Sequence, residues 1–93
     1  MWNNLFITFE LTDPEQNQPD VFKAIESLGN STRLHTTCWY VNSPRSASEA
    51  VGHIGSAMSE EDILVVTDTS NDSATWHNLN EKQEIRIKQN WKR

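Results

Sequence analysis

An α+β sandwich with the element order βαββαβ is the fold class this sequence predicts, on three observations. Two short apolar runs, Leu5 to Leu11 and Asp62 to Thr67, have the composition of strands. Between them lies a third stretch rich in β-branched and aromatic residues, Thr32 to Val41. Each interval between these stretches carries apolar residues at helical spacing, and that alternation of periods fixes the order of elements.

In Leu5-Phe6-Ile7-Thr8-Phe9-Glu10-Leu11, period two puts Leu5, Ile7, Phe9 and Leu11 on one face and Phe6, Thr8 and Glu10 on the other. A run this apolar reads as a strand buried on both faces, or nearly so, with helices on one side and a partner on the other. Residues 12–19 hold two prolines among polar side chains and read as a loop. Pro19 then suits a first helical position, and Val21, Phe22, Ile25 and Leu28 repeat at helical spacing. The expected helix is 19–28, stopped by a left-handed Gly29. Thr32 to Val41 is strand material, either one long strand or two short ones bent around His35 to Thr37. Ser46 with Glu49 makes a capping box for a second helix, whose buried stripe is Ala47, Ala50, Val51, Ile54 and Met58. Gly52 and Gly55 weaken that helix, which suggests close packing on the sheet. After the strand at 62–67, the tail offers Ile85, Ile87 and Trp91 as the alternation of a strand or the stripe of a short helix.

This is the order of a split βαβ or ferredoxin-like sandwich, an antiparallel sheet with two helices on one face. Right-handed crossovers set the first strand at the centre, with the expectation that it runs parallel to the third and antiparallel to the last. Glu10 should then lie near Val41 to Ser43 and near Glu61 and Asp62. Asp68 belongs about 15–20 Å away, at the far end of the last strand. Residues 1–93 form a single domain on this reading, with a core over 4–69 and a tail over 70–93 that packs on a sheet edge or on a dimer partner. The sheet face carrying Phe6, Thr8 and Glu10 is left open by the two helices, and a symmetric homodimer through it is the economical cover.

Thirteen acidic and eight basic residues give a net charge of −5, which argues against an obligate, sequence-independent grip on duplex nucleic acid. Arg86, Lys88, Lys92 and Arg93, however, are half of all the basic residues, gathered in the last eight positions. A single cysteine, Cys38, excludes an intrachain disulfide and a cysteine-rich zinc site. With no signal-peptide pattern and no apolar run approaching a membrane span, a soluble cytoplasmic protein is expected, with no membrane partner.

Several segments, in this order and spacing, fit one known pattern: Phe9-Glu10-Leu11, the proline-bearing loop, Ala24 to Gly29, His35 to Val41, Ser46 to Glu49 and Asp62 to Val66. Together they resemble the small CRISPR-associated endoribonuclease family that partners the spacer integrase, and particularly its stand-alone SinR-like branch. The resemblance spans about residues 5–91. It implies a ferredoxin-like fold, a homodimer and, in some members, metal-dependent cleavage of RNA or DNA through an aspartate at the end of the first strand. Here Glu10 stands at that position, preceded by Phe9 where the family has tyrosine. The longer carboxylate still suits Mg2+, which takes oxygen ligands, but displaces the metal by about one methylene, an error that costs roughly 100-fold in rate.

The resemblance therefore implies a dimeric protein acting on or near nucleic acid, with weak or absent metal-dependent nuclease activity. Glu10 is the candidate catalytic residue and magnesium ligand, and otherwise a solvated strand terminus. Arg86 and Lys88 are the candidate nucleic-acid contacts. Asp13, His35, Thr36 and Thr37 are better explained by turn and strand chemistry, and Cys38 by burial in a strand. Trp76, followed by His77 in a polar loop, is either a base-stacking residue or a core or dimer anchor. A reading from a different class is a non-catalytic adaptor or toxin–antitoxin interaction module, whose acidic surface meets a basic protein partner.

Overall fold

The computed structural model describes residues 2–91, so Lys92 and Arg93 lie outside the described residues. The chain runs β1 (Asn3–Glu10), α1 (Pro14–Glu26), β2 (Asn30–His35), β3 (Cys38–Ser43), α2 (Ala47–Gly55), β4 (Ile63–Asp68), β5 (Ser73–His77) and α3 (Glu81–Asn90). It is an α+β fold built on one open, antiparallel sheet in the order β2-β3-β1-β4-β5.

Strict alternation along β1 buries Leu5, Ile7 and Phe9 and exposes Asn4, Phe6, Thr8 and Glu10. The strand is therefore buried on one face, and Phe6 remains 40% exposed. On the buried face Leu5 and Ile7 pair with Val41 and Trp39 of β3 and with Asp68 and Val66 of β4. Val21 and Ile25 of α1, with Ala47, Ala50 and Ile54 of α2, close this layer into the core. Each fully buried Leu or Ile contributes about 1.5–3 kcal/mol relative to an exposed position, so this single layer carries most of the stability.

The expected parallel pairing of the first and third strands is replaced by an antiparallel one, Thr8 facing Cys38 and Asn3 facing Ser43. The reason is the β2–β3 hairpin. The crossover through α1 makes β2 run with β1, the turn at Thr36 and Thr37 reverses the chain, and β3 slides between them running against β1. Thr32 to Val41 is thus two strands, with a register shift between Arg33 and His35.

α1 begins at Pro14, five residues before the expected start at 19, and ends at Glu26. Pro14 occupies the first turn, where its missing N–H is no loss, while Pro19 sits inside the helix. Asn17 ties this segment to the sheet, its Nδ2 donating to Asp62 Oδ2 at 2.9 Å and to the Ala57 carbonyl at 3.3 Å. Gly29 is not left-handed, since no glycine has positive φ. It is required for a different reason: a Cβ there would overlap the Asn42 carbonyl of β3. Gly52 and Gly55 mark no close packing, because a Cβ at either meets open space. The capping box of α2 is present in full, with Glu49 N–H donating to Ser46 Oγ at 3.1 Å and Ser46 N–H to Glu49 Oε1 at 2.9 Å.

His77 and Trp76 lie in a strand, β5, rather than in a polar loop. The tail is a helix, α3, opened by a second capping box between Asn80 and Gln83. In-register pairing puts Trp76 beside Val65 and Val65 beside Thr8, so Trp76 belongs to the open face. Its Nε1 donates to Glu84 Oε2 at 2.7 Å, which places α3 over β5 on the side opposite α1 and α2.

Candidate functional site

Glu10 ends β1, exposed, on the same face as Phe6 and Thr8 and opposite Ile63 of β4. Its other neighbour is the start of β3, since the Phe9 amide donates to the Thr37 carbonyl at 3.1 Å. Val41 to Ser43, expected beside Glu10, pair instead with Leu5 to Asn3 at the opposite end of β1. The fold thus gathers Glu10 and the hairpin turn carrying His35, Thr36 and Thr37 at one end of the sheet. Asp68 faces Leu5 at the other end, as the length of the strand requires.

Next to Ile63, the cross-strand partner of Glu10, stands Asp62, the residue before β4, and it is fully buried. Thr12 donates to its Oδ1 from the backbone at 2.9 Å and from the hydroxyl at 3.1 Å. Asn17 Nδ2 and the Ser59 amide each donate to Oδ2 at 2.9 Å. Burial by itself raises this carboxyl's pKa, but the Thr12 and Ser59 amides, with the Asn17 and Thr12 side chains, outweigh it and hold the group well below the usual carboxylate range. Four donors saturate the carboxylate, so it fastens the β1–α1 corner to the α2–β4 corner and has no oxygen to lend to a ligand. Sequence reasoning missed this role; the one signal was an acid placed between a polar turn and an apolar run.

Asp68, also buried, accepts three hydrogen bonds. They come from the Ser70 and Asn71 amides at 3.0 and 3.2 Å and from Asn71 Nδ2 at 2.7 Å, which braces the β4–β5 turn. Asp13 precedes α1 without capping it through its side chain. His53 Nε2 lies 2.7 Å from Ser27 Oγ, joining α2 to the end of α1. Cys38 is a half-buried free thiol opposite Thr8. Arg86 and Lys88 are both exposed on α3. Being two residues apart they project from different sides of the helix. Lys88 lines a cleft of about 420 Å³ between α3 and β5, together with Asp72, Ser73, Ala74, Trp76, Ile87 and Trp91.

Among the described residues no group of three or more His, Cys, Asp or Glu side chains is placed to hold a metal ion. Magnesium is usually held by one or two carboxylates together with waters and substrate phosphates. Glu10 supplies one carboxylate per chain and the saturated Asp62 adds none, so a single copy offers one free carboxylate at this end of the sheet. No helix among the described residues is long and apolar enough to cross a membrane. Comparison of the chain with protein-family models, curated proteins and solved structures returns no match.

Proposed function

We propose that the chain is a homodimeric, ferredoxin-like module of the CRISPR-associated endoribonuclease-like kind, acting on or near nucleic acid with weak or absent metal-dependent nuclease activity. On this reading β2-β3-β1-β4 with α1 and α2 is the ferredoxin-like unit, and β5–α3 is an addition to it. The observation that carries the proposal is the open half of the sheet: Phe6, 40% exposed, packs its ring on Tyr40 with centroids 5.3 Å apart, and Glu10 ends the same face of the same strand. α3 reaches β5 and leaves this aromatic pair uncovered. A second copy applied through it buries the same patch twice and brings two Glu10 carboxylates toward one axis. There they would share a magnesium ion, which activates a water for attack on a phosphodiester.

Light scattering at micromolar concentration tests the assembly, with a dimer expected for the native chain and a monomer for Phe6→Asp. Glu10→Gln keeps the shape of the side chain and removes the charge that holds a hard cation. It should abolish magnesium-dependent cleavage of single-stranded RNA or DNA and leave the dimer intact. Cleavage that survives Glu10→Gln rejects the assigned site. The net charge of −5 favours a second reading, an adaptor that binds a basic protein partner. A native chain that neither cleaves nor shifts its Glu10 resonances on magnesium titration supports that adaptor instead.

A further inference from the structure

We infer that the cleft between β5 and α3 is a stacking site for one unpaired base of a single-stranded nucleic acid, with the adjoining phosphate held at Lys88. The site is separate from Glu10 and goes beyond the dimeric nuclease-like reading, since it needs neither magnesium nor a second copy. Its volume, about 420 Å³, lies in the range of pockets that take small ligands. Trp76, Trp91, Ile87 and Ala74 give it apolar and aromatic walls.

Both indoles are held by their edges. Trp76 Nε1 donates to Glu84 Oε2 at 2.7 Å, and Trp91 Nε1 to the Asp72 carbonyl at 3.2 Å, so the N–H groups are already committed and the ring faces are what the cleft can offer. A ring face without a spare donor or acceptor selects a flat aromatic partner by stacking and is indifferent to its hydrogen-bonding edge. The Glu84 carboxylate is turned to the Trp76 indole, which moderates its repulsion of an incoming anion. Among the lining residues Lys88 is the cation and Asp72 the acid. Arg86, also exposed on α3, projects from another side of the helix. A duplex keeps its bases stacked inside and would meet the full acidic surface, whereas a single strand can turn one base into the cleft and run its phosphates past Lys88.

Fluorescence anisotropy of labelled octathymidylate, at low salt with a chelator present, tests this without involving Glu10. Wild-type binding is expected, weakened about 5- to 150-fold by Trp91→Ala, the range of one base stack. Trp91→Phe should recover part of the loss. Trp2→Ala, which removes another half-exposed indole, should change nothing. Lys88→Gln should lower the slope of log affinity against log salt by about 0.7, the value for one phosphate on a single strand. No binding by the wild type, equal binding by Trp91→Ala, or equal binding of a duplex of the same length overturns the inference. Thymidine 5′-monophosphate competing as well as the octamer overturns the strand as the ligand.

Discussion

Asp62 and Glu10 are neighbouring acids with opposite fates. Replacing Asp62 with alanine leaves the Thr12 and Ser59 amides and the Asn17 amide group without their acceptor in a buried corner. That loss should cost about 3 kcal/mol in urea unfolding. Because the folded-state pKa of Asp62 lies below its unfolded value of about 3.9, its contribution is complete above that pH. It is lost progressively as pH falls from there toward the folded value. Wild type should therefore lose stability with acid more steeply than Asp62→Ala, and parallel acid slopes would show that the carboxylate is not the group responsible. Glu10 is exposed, and its substitution should change stability by no more than about 0.5 kcal/mol. A strong effect of Glu10→Gln on cleavage would then be an effect on chemistry.

At the scale of elements, two glycines that look alike in sequence should respond in opposite directions. Gly52→Ala lies mid-helix on an exposed position with open space at its Cβ, so it should stabilise α2 by about 0.5–1 kcal/mol. Gly29→Ala drives a methyl into the Asn42 carbonyl and should lower the melting temperature, because backbone on both sides must shift. A drop for Gly52→Ala, or no change for Gly29→Ala, would contradict these placements. What was legible in the sequence follows the same division between local and tertiary causes. The α2 capping box and the alternation of β1 are local, and both stand as read. The start of α1 was not legible, because a Pro at residue 19 is a helix start by local rules and an internal position once Asn17 is tied to Asp62. The strand β5 was missed because Ser73 to His77 mix small and polar residues with one tryptophan, and only pairing with β4 makes them a strand. The antiparallel setting of β3 depended on resolving the hairpin, which ten residues of uniform strand composition do not reveal. Glu10 was legible as the odd acid on an apolar strand, whereas the β5–α3 cleft could not be seen without β5.

The molecule as a whole is uneven in stability. β1, β3 and β4 share one buried layer with α1 and α2, while α3 buries none of its residues and leaves Ile85 47% and Trp91 38% exposed. What holds α3 is its capping box, the partly buried Ile87 and the two indole hydrogen bonds to Glu84 and the Asp72 carbonyl. Each such bond is worth about 1 kcal/mol net, which is small beside the apolar layer. The helix should therefore open by itself, without the sheet, at a fraction of the global unfolding free energy. Native-state hydrogen exchange should find the α3 amides from residue 85 to 90 exchanging at least 100-fold faster than those of Ile7, Val41 and Val66. Octathymidylate should slow α3 selectively, because a base held in the cleft between β5 and α3 binds only the docked helix. If the α3 amides instead exchange with the strands, the helix is part of the cooperative core. The cleft would then be a fixed pocket, and ligand-induced ordering of α3 would be ruled out.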